Sequence, residues 1–352
     1  MKKLLLLLLA AVLATAGLTA CGGTDEASDA DADGAAGKTV LKISYQDVAF
    51  PALIEASGVL DDADFEVEWS NLTGPAANLQ ALYSGAIDLG HMGDTSLTIE
   101  QANADTEWTT DNAPLKIVAG WRNDYDPEYD PLITAVRTDA GIDSLADLKG
   151  HTWGYNFGGY NHAQYLVSIV KAGLTEKDVK GTEFADGATS AAAFNDGQVD
   201  VYSGGHGAVS EAIAAGDAKV LLTSAETGVP ALNVWTATKE VLADPDKDAA
   251  LKDFFSRLSG YWAWHDENPD KVKEILKTKL KIDDARADFE YEVRSGAFRL
   301  FDDELMTQEQ DVAQALYDGG AIDKLPDVSI GFDDRYNTAQ KAVSEADVKA
   351  GS

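Results

Sequence analysis

The stretch that decides the fold begins at Phe65-Glu66-Val67-Glu68-Trp69, passes through Gly74-Pro75 and ends at Ala86-Ile87-Asp88-Leu89. Its first five residues alternate apolar and charged, the period of two expected of a half-buried strand. Gly74-Pro75 then opens a helix, because proline in a first helical turn gives up an N–H that has no partner there. Leu79, Leu82, Tyr83 and Ala86 fall on one face of that helix, and residues 86–89 read as a short strand. Strand, helix and strand in so short a span predict α/β layers with mostly parallel pairing.

The alternation continues on both sides. Upstream, residues 40–45 form a β-rich run and residues 49–60 suit a helix. Downstream, strands are predicted at 117–119, 132–136, 152–156, 199–202 and 220–223, with a helix over 161–172 that carries Ala163, Leu166, Val167 and Val170 on one stripe. From Leu242 the pattern turns helical. Leu251, Phe254, Phe255, Leu258 and Tyr261 make one apolar face, and Val272, Ile275 and Leu276 another.

The first twenty residues have a different character. Met1-Lys2-Lys3 is followed by an apolar run and then small residues, the pattern of a secretory signal. The run is shorter than the ~20 residues of a membrane span. Leu18-Thr19-Ala20-Cys21 resembles the bacterial lipobox, which implies cleavage before Cys21 and a lipid on its sulfur. Residues 22–38 are Ala, Gly, Ser, Thr and acidic residues with almost nothing to bury, so a disordered acidic linker is expected over 21–38.

The 352 residues carry 28 Lys and Arg against 60 Asp and Glu, a net charge of −32. Such a surface excludes a nucleic-acid binder, which needs a basic face, and docking on anionic lipid through basic residues. Cys21 is the single cysteine, so neither an intramolecular disulfide nor a thiolate metal cluster is available. No Gly-x-Ser-x-Gly elbow, His-Glu-x-x-His helix or phosphate-loop Gly-Lys-Ser/Thr occurs. Neither an enzyme nor a cofactor is expected.

Four motifs in register carry a family resemblance. Residues 71–103, with Gly74-Pro75, Gly85-Ala86-Ile87-Asp88-Leu89-Gly90 and Gly93-Asp94-Thr95, are the first. Ser144-Leu145-Ala146-Asp147-Leu148-Lys149-Gly150, Lys171-Ala172-Gly173-Leu174 and Ala193-Phe194-Asn195-Asp196-Gly197-Gln198-Val199-Asp200-Val201 follow. From about residue 42 to 223 their order resembles the substrate-binding proteins of ABC importers for sulfonate, nitrate and taurine, a family that includes importers of thiamine precursors and other heteroaromatics. The resemblance implies a two-lobed α/β periplasmic-binding-protein fold of type II, with the ligand in a cleft between lobes. Lobe one is expected over 39–131 plus 237–346 and lobe two over 132–236, with hinge closure around the ligand. It further implies an extracytoplasmic lipoprotein, monomeric and lipid-anchored through Cys21, that delivers a small organic anion to a permease and ATPase. An alkyl or aryl sulfonate is the first expectation. A thiamine precursor or other heteroaromatic, or a metal-dependent solute sensor, is the alternative.

Open α/β sheets bind ligands beyond their strand C-termini, so four strand-to-helix loops are expected at the cleft. The first supplies Gln46 and Asp47, and the second Gly93, Asp94 and Thr95 beside His91. The third supplies Asn156, Gly158, Gly159, Tyr160, Asn161 and His162, with Phe157 among them. The fourth supplies Ser203, Gly204 and His206. Glycines there permit close backbone approach, and helix N-termini offer free N–H donors to an oxyanion. Trp121, Arg122 and Trp235 complete the set; an Arg suits a multi-oxygen anion, and Tyr125 and other aromatic residues nearby suit an apolar or aromatic ligand body. His162 matches a histidine common at this place in the sulfonate-binding group. A metal held by His91, His162 and His206 with Asp94 is the sharper alternative, but no two of these histidines sit at close helical spacing, and no metal is expected. The third loop has Gly159 and Tyr160 where that group has small hydroxyl residues. The fourth reads Tyr202-Ser203-Gly204-Gly205-His206 where the group has a Trp-Asp pair.

Overall fold

In the computed structural model, residues 37–123 and 130–340 are described. The leader over 1–20, Cys21, all but the end of the acidic linker, Tyr125 and residues 341–346 lie outside the described residues. The eleven strands among the described residues form sheets of two, four and five strands, the first two joined through one isolated bridge into a single layer. Strand β1 (Thr39–Tyr45) pairs in parallel with β2 (Phe65–Asn71), and Ile43 bridges to Leu89 just before β3 (Gly90–Gly93). On the other side of β3, the strands β4 (Leu115–Asn123), β10 (Asn233–Thr238) and β11 (Gly296–Phe298) continue the layer in the order β3-β10-β4-β11, each pair antiparallel. The second sheet holds β5 (Leu132–Arg137), β6 (Thr152–Asn156), β7 (Lys180–Phe184), β8 (Val201–Gly205) and β9 (Ala218–Thr223) in the order β7-β6-β8-β5-β9.

The two layers share one plan. In each, the parallel strands are followed by one antiparallel strand, and that strand is the first one made after the chain changes sheets. The chain leaves the first sheet after β4 and enters the second as β5, which runs antiparallel to β8. It leaves the second after β9 and returns as β10, antiparallel to β3. The chain thus passes between the two lobes twice, the connection that a hinge requires.

The strand-helix alternation and the helical C-terminal part are as expected from the sequence. Four details differ. Pairing is mixed rather than mostly parallel, because both crossing strands enter reversed. The strand expected at 86–89 lies at Gly90–Gly93, since the chain at Ala86–Asp88 is still turning out of the helix Pro75–Tyr83, with Ala86 N–H donating to Ala81 O. The boundary at 236/237 falls inside β10, which pairs in the first sheet from Asn233 onward. The helix Asp303–Asp318, assigned to lobe one, buries Val312 and Leu316 with Leu166 and Val167 of the second lobe.

The first lobe's core lies between its sheet and the helix Pro245–Glu267. Leu251, Phe254, Phe255 and Leu258 are fully buried there against Leu41, Ile43 and Trp235. Burying each such side chain contributes roughly 1.5–3 kcal/mol, so this helix fixes the back wall of the site. The second lobe packs the helix Tyr160–Lys171 across β6 and β8, with Trp153, Tyr165, Leu166 and Val201 buried. Among the described residues no helix is long and apolar enough to cross a membrane.

Candidate functional site

A cavity of 410 Å³ lies between the lobes. Each of the four strand-to-helix loops contributes to its wall: Tyr45, Gln46, Asp47 and Phe50 from the first, His91 from the second, Tyr160 from the third, and Gly205, Gly207 and Ala208 from the fourth. The remaining wall comes from Trp121 and Trp235 on the first sheet, Asn233, Tyr261, Trp262 and a C-terminal group of Arg286, Glu290 and Arg294.

One face is aromatic. The Trp121 and Trp235 rings stack at 4.1 Å and 28°, and His91 stacks on Trp121 at 5.0 Å. Phe50 lies 6.0 Å from Trp235 and meets Tyr261 edge-on at 5.8 Å. Offset stacks of this kind present a flat apolar wall to a ring or alkyl chain. Inside that wall, both His91 ring nitrogens and Trp235 Nε1 are buried without a hydrogen bond of normal geometry. Burial holds the imidazole neutral, with its pKa down to about 4 although Asp47 and the Asn233 side chain act against this. Buried unpaired polar atoms cost free energy unless a ligand or water completes them.

The opposite face is ionic. The Arg294 guanidinium donates to Asp47 at 2.7 Å and also pairs with Glu290. Arg286, one helical turn before Glu290, bonds it at 2.6 Å. Burial alone would raise the Asp47 carboxyl, but Arg294 and the Ala49 N–H hold it below its ordinary value. Burial would lower Arg294; Asp47 and Glu290 instead hold it above its usual range. Two cations and two carboxylates thus alternate along the wall.

Local structure places these groups. Gln46 is pinned at the end of β1 by donating to His91 O at 2.8 Å and accepting from Gly74 N–H at 3.1 Å. Pro51 starts the helix Phe50–Ser57, and Gly58 at φ 69° ends it. Gly93 is a close-approach position: a Cβ there would lie 2.6 Å from the Tyr160 ring and 2.7 Å from its backbone N. Its missing side chain lets the third loop sit on β3 and aims Tyr160 into the cavity, where its hydroxyl lies 3.4 Å from Asn233 Oδ1. Burial, reinforced by the Asp94 charge, pushes the Tyr160 phenol up to about 12.

Of the residues expected from the sequence, the structure brings Gln46, Asp47, Trp121, Tyr160 and Trp235 into the wall. The others are drawn elsewhere by closer partners. Asp94 caps the helix Thr95–Asn103, accepting from Thr95 N and Oγ1, and its second oxygen takes Leu232 N–H at 2.7 Å. Asp94 and Thr95 are fully buried. Asn156 and Asn161 bond each other at 2.6 Å. His162 accepts from Gly158 N–H at 3.3 Å and stacks on Tyr155 at 4.9 Å; burial keeps it neutral, with its pKa near 4. Gly158 turns the third loop at φ 81° beside Pro75, and Gly159 caps the helix that begins at Tyr160. Ser203 is buried in a network with Thr134 and Trp153 Nε1. Gly204 makes room for the Tyr202 hydroxyl, which a Cβ would meet at 2.2 Å. His206 directs Nδ1 to Asp130 O at 3.1 Å. Arg122 stays on β4, paired in register with Ala297 of β11. Among the described residues no group of three or more His, Cys, Asp or Glu could hold a metal ion, since the three loop histidines serve three separate local contacts.

Arg286, Glu290, Arg294, Tyr261 and Trp262 were not expected at the site. Their one sequence signal is the spacing of Arg286, Glu290 and Arg294, four residues apart on the helix Asp284–Glu292 and the turn after it. In isolation that reads as a solvent-facing salt-bridge row.

Comparison with known proteins follows from this geometry. Residues 54–278, well over half of the chain, match the family model described as NMT1/THI5 like. A protein of Escherichia coli (strain K12) named for binding aliphatic sulfonates is 28% identical over 185 residues, 51% of this chain and 54% of that protein. The chain thus spans about half the length of this curated relative. The structure is similar to that of the periplasmic aliphatic sulphonate binding protein of E. coli, with TM-score 0.66, 21% identity, and 83% of this chain and 91% of the other covered. It is also similar to the alkanesulfonate-binding protein of Xanthomonas axonopodis pv. citri bound to MOPS, with TM-score 0.70, 19% identity, and 84% and 99% covered. These likenesses show the periplasmic-binding-protein fold.

Proposed function

Since the chain belongs to the NMT1/THI5-like family, we propose that it is the solute-binding component of an ABC importer, and that it captures a small organosulfonate between its lobes. The observation that carries this is the cavity itself: 410 Å³ between lobes that the chain crosses twice, with a stacked tryptophan wall facing an arginine-bearing wall. An amphiphilic anion fits such a box. Its ring or alkyl chain lies on Trp121 and Trp235, and its oxygens reach toward Arg294, the Gln46 and Asn233 amides and the Tyr160 hydroxyl. Micromolar affinity needs about −8 kcal/mol. A few charge-assisted hydrogen bonds at roughly 1.5–3 kcal/mol each with one buried ring supply that after closure costs. The names of the E. coli and Xanthomonas relatives agree with this ligand class.

One observation favours a second ligand class. Both cavity arginines already hold carboxylates, Arg294 with Asp47 and Glu290 and Arg286 with Glu290, and His91 is neutral. A near-neutral box with unpaired His91 and Trp235 nitrogens also suits a planar heteroaromatic. The reading assigns the protein no covalent chemistry. It places the protein outside the cytoplasmic membrane, held by a lipid on Cys21, as a monomer that hands its ligand to a permease.

Thermal-shift screening with alkyl and aryl sulfonates, taurine, nitrate, thiamine precursors and flavins tests the ligand class, with hits confirmed by calorimetry. A ligand bound only by the folded protein raises the melting temperature. Hits among sulfonates support the proposal; hits confined to neutral heteroaromatics replace it with the second class. Labelled palmitate incorporated by the wild type but not by Cys21→Ala is the expected result for the anchor.

A further inference from the structure

A second cavity of 690 Å³ adjoins the first. The two share four wall residues, Ala208, Arg286, Glu290 and Arg294. The rest of the outer cavity is lined from lobe two by Asn195, Glu211 and Asp217, and from lobe one by Leu280 and Ile282. The ionic row is therefore a partition between two chambers that open on the same interlobe cleft.

Arg286 also crosses the cleft. It rises from the helix Asp284–Glu292 of lobe one, and its guanidinium donates to Gly207 O at 2.7 Å and to Ser210 Oγ at 2.8 Å in lobe two. Glu290 holds Arg286 from behind and also binds Arg294, which in turn holds Asp47 at the inner cavity. A continuous chain of charge-assisted bonds thus runs from a ligand-cavity carboxylate to the backbone of the other lobe. The far rim of the cleft is closed differently, by direct packing. A Cβ on Gly74 would lie 2.7 Å from Ala185 O, and Cβ atoms on Gly158 and Gly159 would come within 3.4 and 3.6 Å of Pro75. Polar side chains close the Arg286 side.

We propose that Arg286, Glu290 and Arg294 form the gate between the outer chamber and the ligand cavity, and that Arg286 is its bolt, locking lobe one to lobe two. Ligand enters and leaves through the outer chamber when the Arg286 bonds to Gly207 and Ser210 break. Displacing Arg294 from Asp47 loosens Glu290 and with it the bolt, so occupancy of the inner cavity is transmitted to the gate. The role of the gate in ligand exchange rests on the solute-binding reading; the interlobe lock does not.

The test uses Arg286→Gln, with Ser210→Ala as a milder variant that touches only lobe two. Small-angle scattering of the ligand-free proteins reads the lock. Stopped-flow tryptophan fluorescence with benzenesulfonate reads the gate, since Trp121, Trp235 and Trp262 line the inner cavity. The expected result is a larger radius of gyration for Arg286→Gln and a smaller increase for Ser210→Ala. Association and dissociation rates should rise together, by at least tenfold for Arg286→Gln, so that Kd changes less than either rate. Tenfold corresponds to about 1.4 kcal/mol. Unchanged scattering in both variants overturns the lock, and unchanged rates with a binding probe overturn the gate. If benzenesulfonate fails to bind the wild type, the sulfonate reading falls, while the scattering comparison still decides the lock. If Arg286→Gln does not fold, Ser210→Ala decides both by the same readouts.

Discussion

Replacing Glu309 by Gln should make the protein less sensitive to rising pH. Glu309 lies on the helix Asp303–Asp318 and faces Asp94, both fully buried. Asp94 already accepts from Thr95 and Leu232, which leaves Glu309 with no donor of its own. Burial, with the neighbouring Asp94 charge, raises Glu309 well above its ordinary value of 4.5, and burial brings Asp94 up to about 6. The folded pair therefore keeps a proton that the unfolded chain releases. A carboxyl raised in the folded state contributes stability at low pH that is lost as pH rises from its unfolded toward its folded pKa. Each pH unit over which one proton is retained costs about 1.4 kcal/mol. Over the range in which the folded pair keeps the Glu309 proton, the wild type loses stability at that rate as pH rises, a cost absent from Glu309→Gln. Its amide can still donate to Asp94. Urea midpoints at pH 5, 6 and 7 read the difference, and the variant should gain on the wild type as pH rises, by up to about 1.4 kcal/mol per pH unit. Parallel curves would refute the shared-proton reasoning.

Other substitutions separate the wall from its scaffold. Trp121→Leu removes a stacking face and should weaken sulfonate binding by up to about tenfold in calorimetry; unaltered affinity would remove the aromatic wall from the site. Gly93→Ala puts a methyl into the Tyr160 ring and backbone, so denaturation should show a loss of about 1–3 kcal/mol together with weaker binding. His162→Ala should lower the melting temperature while leaving Kd within twofold, because this ring packs on Tyr155 away from the cavity. With a net charge of −32, moderate salt should raise the melting temperature by screening self-repulsion, and a flat or falling curve would count against that.

The layer plan was legible because its signals are local. Alternation at Phe65–Asn71, Pro75 at a helix start and the apolar stripe of Leu251, Phe254, Phe255 and Leu258 each follow from neighbours in sequence. Strand β7 escaped notice because Lys180-Gly181-Thr182-Glu183 is exposed at a sheet edge, where no apolar alternation is required. The meeting of four loops was legible from topology, but which residues face the cavity was not. His162 and Asn161 bond within their own loop and Ser203 bonds Thr134, a choice set by neighbours such as Tyr155, Asn156 and Thr134. Arg286 and Arg294 were hidden for the opposite reason. Their spacing is that of an ordinary exposed helix face, and only the second lobe, brought across by the two crossings, turns that face into a wall.

The central claim is a ligand held between the two lobes. A crystal structure of the protein with the sulfonate that gives the largest thermal shift tests it most directly. The predicted result is the ligand body against Trp121 and Trp235, with its oxygens toward Arg294, Gln46 and Asn233. A ligand seated outside the 410 Å³ cavity, or one that leaves the Trp121–Trp235 wall untouched, would contradict the account.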